Sequence, residues 1–276
     1  MNQQVVVTEL RDGIAWVTVN RPEKLNALSS EVVITMTETL RTLEADEAVR
    51  VVVIQGAGKT FSVGYDITEE VEAGIARPED WHGALTRNVG LSMAVWSLTK
   101  PTIAAVDGWC LAGACELAMA CDMIVATQRS QFGEPEIRFG SGPVTLLMPF
   151  LIGQKKTNEL LLTGDVIAAQ EAERLGMINH VVDDADALRA RVEQLAKRIA
   201  ITPPITLKLT KIALTRAYEA MGLRNAVNAN LDLAATLNAA YSPEKAEFGE
   251  RVKTQGLRSA LAWRDERYGK LDQTQN

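Results

Sequence analysis

The sequence predicts an α/β fold. Three apolar runs carry that prediction: residues 49–55, 102–106 and 123–126, the first of them mostly β-branched. Runs of this kind suit strands buried on both faces, as in a parallel sheet. Between the last two lies a helix candidate at residues 114–120, so strand, helix and strand follow one another at βαβ spacing. The composition agrees. Of 276 residues, 47% are apolar and 23% charged, which is enough apolar material for a sizeable core.

In chain order, the first strand is expected over residues 13–20, followed by a turn at Arg21-Pro22-Glu23-Lys24. A helix begins near Ser29 or Ser30, because Val33, Met36, Leu40 and Leu43 recur at helical spacing. The strand at 49–55 comes next. Residues 68–87 are polar, lack a clear period and carry Gly74 and Pro78. They read as a mobile loop or a broken helix beside the site. Beyond the strand–helix–strand unit, Leu188, Val192, Leu195 and Ile199 form another helical stripe. Pro203-Pro204 ends it, and helical patterns then run nearly to the terminus. The expected organisation is an α/β core over residues 1–200 and a helical part over 201–276.

Charge and composition narrow the function. With 29 basic and 35 acidic residues the net charge is −6, which argues against nucleic acid or an anionic membrane as the partner. The longest stretch without a charge, residues 139–154, is interrupted by two prolines and falls short of the roughly 20 residues that span a bilayer. The first residues lack the basic start and apolar run of a signal peptide, so the expected location is cytoplasmic. Cys110, Cys115 and Cys121 match no zinc or redox spacing and read as small core residues. His82 and His180, the two histidines, have no metal-like partner spacing. A Gly-x-Ser-x-Gly elbow is also missing, so neither metal chemistry nor a Ser-His-Asp triad is expected. Gly56-Ala57-Gly58-Lys59-Thr60 looks like the end of a phosphate loop. Val53 stands where that loop needs its first glycine, and the segment reads as a turn.

Two acids attract attention. Glu116 sits among small and apolar residues, from Cys110 to Cys121, in a helix that should be buried all round. A carboxyl placed there tends to a raised pKa, as a general acid or base near neutral pH requires. A structural acid that caps backbone amides is the competing reading. Glu136 follows Pro135, which stiffens the turn and can aim the side chain. Glu134 lies two residues earlier, and composition does not decide which of the two faces a site. Gly113, at the start of the buried helix, and Gly64-Tyr65, after a strand, add backbone donors able to bind an oxyanion.

Taken together, these segments resemble the crotonase (enoyl-CoA hydratase/isomerase) superfamily. The resemblance runs over residues 10–215 and rests on residues 20–28, 61–67, 107–117 with 120–122, 132–137, 161–165 and 172–177. It implies a spiral of ββα units with a C-terminal helical region that trimerises, giving a homotrimer or a dimer of trimers. It also implies an acyl thioester of coenzyme A as substrate and no separate cofactor. The thioester oxygen would sit between the backbone N–H groups of Tyr65 and Gly113. Coenzyme A would lie along the first turn, at Lys24, Leu25 and Ala27, and along Val63, Asp66 and Ile67, with Lys24 as a phosphate contact. Hydratases of the family carry a glutamate at both acid positions, matched here by Glu116 and Glu136. The implied reaction is addition of water to a trans-2-enoyl-CoA, with Glu116 on the water and Glu136 on the α-carbon proton. The alternatives are an isomerase or an aromatic acyl-CoA hydratase-lyase and, in another class, a non-catalytic CoA-ester or RNA binding protein. The chain departs from the pattern at Ala112 and Ala114, where glycines are common, at Val63, and in the segment after Glu136 that shapes the acyl end.

Overall fold

The chain starts in a tight hairpin. Strand β1 (Val6–Arg11) pairs antiparallel with β2 (Ile14–Val19) across Asp12 and Gly13, whose φ angles are 52° and 76°. Asp-Gly suits a turn that needs two positive φ values. The sequence reading placed β2 but not β1, whose outer half is exposed and lacks a buried stripe. The computed structural model describes residues 4–273.

Three buried runs follow as parallel strands. Strand β3 (Val51–Gly56) lies beside β2, with Val51 opposite Ile14, and β4 (Thr102–Val106) lies beside β3. After the short β5 (Trp109–Leu111), β6 (Met123–Thr127) pairs with β4. Strands β7 (Gln131–Gly133) and β8 (Val166–Ala168) join β5 in a small second sheet, and β9 (His180–Val182) closes the main sheet against β6. The four short strands were not expected; runs of three residues leave no period to read.

The main sheet is covered on both faces, which is why β3 is apolar at every position from Val51 to Ile54. Ala15, Val17, Val52, Ile54 and Ala104 face helices α1 (Ser30–Ala45), α3 (Pro78–Ser97) and α4 (Gly113–Met119). Trp16, Val51, Val53, Ile103 and Val125 face α8 (Ala185–Ala200) through Leu188, Val192 and Ala196. Helix α1 starts as expected, with the Ser29 side chain accepting the Val32 N–H at 3.3 Å.

Residues 68–87 resolve as the broken helix rather than the loop. Helix α2 (Ile67–Ala73) ends at Gly74, φ 59°, and α3 begins at Pro78. The buried face of α3 includes Asn88 and Ser92 beside Trp81, Leu85 and Val89, and those polar residues hide its period. Helices α5 (Pro149–Ile152) and α6 (Gln154–Thr163) link β7 to β8 within the small sheet, and α7 (Ala169–Arg174) connects β8 to β9. Beyond residue 200 lie α9 (Pro204–Ala220), α10 (Leu223–Ala239), α11 (Pro243–Gln255) and α12 (Leu257–Gln273). Val227, Ala234 and Ala235 of α10 belong to the same core as the sheet.

Candidate active site

Connections at the carboxyl ends of the parallel strands build the site, the usual place for a ligand in an α/β sheet. The turn after β2 holds Leu25 and Asn26 at φ 50° and 56°. Asn26, fully buried, donates from Nδ2 to the carbonyls of Ala57 and Thr60 at 2.9 and 2.6 Å. Those bonds anchor the Gly56–Thr60 turn, which leads into no helix until α2. Arg21 donates to the Ala27 carbonyl at 2.7 Å and to Asp66 at 3.1 Å, and Asp66 in turn caps α2 through the Glu69 N–H.

The same pairing frees one amide. Leu28 N–H donates to the Gly64 carbonyl at 2.8 Å, and Asp66 N–H donates to the Leu28 carbonyl at 3.2 Å. In a parallel bridge the residue between those two partners turns its own N–H away, and that residue is Tyr65. Ser62 is stitched to Trp109 and Leu111 of β5, which brings this segment against the start of α4. The first N–H of α4 belongs to Gly113, which by position has no helical acceptor. Among the described residues neither the Tyr65 nor the Gly113 N–H donates to a protein group. The approach is close enough to require glycine on both sides. A Cβ on Gly64 would lie 2.6 Å from the Ala112 Cβ, and one on Gly113 would lie 2.2 Å from the Tyr65 ring.

Ala112 occupies φ 55°, ψ −135°, backbone that a side chain rarely adopts. Replacing Ala112 by glycine should therefore stabilise the protein by about 1 kcal/mol and raise its melting temperature by about 2–4 °C. An unchanged or lowered midpoint in a thermal scan would show that this backbone is not strained.

A cleft of ≈ 470 Å³ lies over these amides, within the usual range for a small-molecule site. Its wall brings together Lys24, Leu25, Ala27, Val63, Tyr65, Asp66, Ile67 and Glu136. Gly113, which packs against the Tyr65 ring, and Glu116 are not part of the wall. Of the two acids left open by composition, Glu136 reaches the wall; Glu134, 2% exposed, is buried outside it. The wall also contains Glu70, Trp81 and Leu85, from the segment expected beside the site, and residues not singled out in the sequence, Asn238, Leu257, Leu261 and Arg264, from the C-terminal helices. No local sequence signal marks this last group, which reaches the cleft only through the packing of α10 and α12.

Glu116 is 0% exposed. Its Oε1 accepts the Val144 and Thr145 N–H groups, both at 2.6 Å, while Oε2 has no partner. Burial raises its pKa and the two amides oppose the rise. Glu136 is 8% exposed, and its Oε2 is likewise without a partner. Burial, then the nearby charge of Glu116, pushes its carboxyl up to about 8. Glu134 rises well above the ordinary range, first by burial and then through Glu116, Cys115 and Glu136. The Tyr65 phenol is also pushed up, by burial first and by Glu116 most among the charges, and its hydroxyl has no partner. Near pH 7 the site therefore presents a protonated acid, Glu136, beside a second carboxyl whose position is set by two backbone amides.

His82 lies on the surface 3.3 Å from Asp232, and His180 contacts Arg191 at 2.8 Å. The three cysteines are buried and free. No group of three His, Cys, Asp or Glu side chains suited to a metal ion occurs among the described residues. Among those residues, too, no helix is long and apolar enough to cross a membrane.

A sequence model of the enoyl-CoA hydratase/isomerase family matches residues 9–255, and the chain belongs to that family. The solved structure of an enoyl-CoA hydratase/isomerase from Xanthobacter autotrophicus Py2 superposes with a TM-score of 0.93 at 42% identity, over 96% of this chain and 99% of the other. The short-chain-enoyl-CoA hydratase of Clostridium acetobutylicum is 32% identical over 260 residues, 93% of this chain and 92% of the relative. The hydroxycinnamoyl-CoA hydratase-lyase of Pseudomonas fluorescens is 34% identical over 226 residues, 78% of this chain and 80% of the relative.

Proposed function

We propose that the protein is an enoyl-CoA hydratase that adds water across the double bond of a trans-2-enoyl-CoA. The observation that carries this reading is that the free Tyr65 amide and the Glu136 carboxyl share one cleft wall, with the free Gly113 amide packed against Tyr65 and the Glu116 carboxyl close enough to act on Glu136. The thioester oxygen accepts from both amides. As the water oxygen bonds to the β-carbon, electron density moves onto that oxygen, and the fixed N–H donors stabilise the enolate. Glu136 delivers its proton to the α-carbon, while Glu116 takes the proton released by the water. After the addition the proton on Glu116 returns to Glu136, directly or through water, to reset the site. Coenzyme A lies along Lys24, Leu25, Ala27, Val63, Asp66 and Ile67, with Lys24 at a phosphate, and its thioester needs no separate cofactor.

A second reading, enoyl-CoA isomerisation, is favoured by one observation: Glu136 lines the cleft and Glu116 does not. A single acid can carry a proton between the α- and γ-carbons. Mass spectrometry after incubation with a panel of aliphatic and aromatic trans-2-enoyl-CoAs separates the two. Gain of one water on any member is expected. An isobaric product with a shifted double bond and no hydration would select isomerisation, and an aldehyde with a shortened thioester would select a hydratase-lyase. Thioester binding without any turnover would select a non-catalytic binder.

The assembly belongs to the same proposal. Ile205 and Leu209 of α9 are 61% and 57% exposed, an apolar face on a helix of the C-terminal part. It suits a homotrimer or a dimer of trimers, and a cytoplasmic enzyme of acyl-thioester, including fatty acid, metabolism.

A further inference from the structure

Glu70 is a carboxyl in the cleft without a partner. It lies on α2, half-buried, in the wall that also contains Trp81, Leu85, Phe139, Val144, Leu257 and Leu261. Its backbone N–H continues the helix to the Asp66 carbonyl, but its side chain makes no hydrogen bond or ion pair among the described residues. Three neighbouring polar groups are otherwise engaged. The Lys245 ammonium donates to the Asn238 carbonyl and lies 5.6 Å from the centre of the Trp81 ring. Ser141 donates to the Asn238 side chain at 2.9 Å, and Arg264 pairs with Asp265 at 2.7 Å. Burial holds the Glu70 carboxyl up to about 7. Lys245 draws that value down, and Asp66 and Glu69 on the same stretch push it up.

An unsubstituted acyl chain against this wall would strip water from Glu70 and return nothing, and an unsatisfied buried acceptor is costly. The occupant therefore carries a hydrogen-bonding group, and because a carboxyl held near 7 is present both ionised and protonated, a group that can donate and accept serves both forms. An ammonium would meet the like charge of Arg264 in the wall, with that of Lys245 behind Trp81, and a carboxylate would meet Glu70 and Glu136. A neutral hydroxyl conflicts with neither set. We propose that the acyl group accepted by this cleft bears a hydroxyl, which donates to Glu70 while the rest of the group packs on the surrounding apolar side chains.

The inference rests on the acyl-thioester reading of the cleft, and binding tests the two separately. Calorimetry with the full-length protein would compare saturated thioesters, which cannot be hydrated, in matched pairs: hexanoyl-CoA with 6-hydroxyhexanoyl-CoA, and 3-phenylpropanoyl-CoA with its 4-hydroxyphenyl analogue. In at least one pair the hydroxylated member should bind about tenfold or more tighter. Glu70→Leu should erase that preference and improve binding of the unsubstituted member several-fold. Glu70→Gln keeps the shape and an acceptor oxygen, so it should retain part of the preference and guards against a folding defect in the leucine variant. Equal binding within both pairs overturns the hydroxyl assignment and leaves the thioester reading standing. A preference that survives unchanged in both variants removes Glu70 from the assignment. Failure of every thioester to bind overturns both.

Discussion

Glu136→Gln should lower turnover of the preferred enoyl-CoA about a thousandfold while thioester binding changes little. A positioned acid or base contributes roughly 10²–10⁴ to a rate, and glutamine has the shape of the acid without its proton. Glu136 is the buried acid that reaches the cleft wall, and its carboxyl, held up to about 8, is protonated near neutrality. The same substitution should stabilise the protein in alkali. A carboxyl whose pKa is raised on folding binds its proton more tightly in the folded state. Its contribution to stability is present below the unfolded value and is lost as pH rises toward about 8. The glutamine variant escapes that loss, so its melting temperature should exceed that of the parent at pH 8 and above. Kinetics and a melting series across pH check both statements. Undiminished turnover would refute the assignment of Glu136.

Glu116 admits a sharper comparison, because its two oxygens do different things. Oε1 holds the Val144 and Thr145 amides and Oε2 is free. Glu116→Gln can keep both amide bonds through its carbonyl oxygen but has no base to offer. Glu116→Ala orphans two buried N–H groups at about 1–3 kcal/mol each. Both variants should lose hydration by about a hundredfold or more, and only the alanine should melt markedly earlier. Hydration should fall further than any isomerisation the protein supports, because isomerisation needs a single proton carrier. Equal losses of the two activities would assign Glu116 to the architecture rather than to the water. Equal melting temperatures for the two variants would show that the amide bonds contribute little.

The legible parts of this protein are those where one residue pattern has one physical outcome. The run around residues 49–55 is apolar at every position from Val51 to Ile54 because β3 is covered on both faces, and it read correctly as a buried parallel strand. Helix α4 read correctly because the six small or apolar residues that flank Glu116 within it leave no solvent face. Strand β1 was missed although Asp12-Gly13 marks its turn, since most of that edge strand faces water. Helix α3 was hidden by Asn88 and Ser92 on its buried face. The choice between Glu134 and Glu136 was beyond composition. Both are buried, and the 3₁₀ turn Pro135–Phe139 brings Glu136 to the cleft.

The residues themselves specify the α/β class, the two glutamates, and the glycines whose missing Cβ lets two loops touch. These are local requirements, written in side-chain volume and backbone freedom, and they stay readable one segment at a time. The acyl end of the cleft is different. Glu70 comes from α2, Trp81 from α3, Asn238 from α10 and Arg264 from α12. Nothing in any one of those segments requires the other three, so the shape and polarity of that end come into being only when the helices pack together.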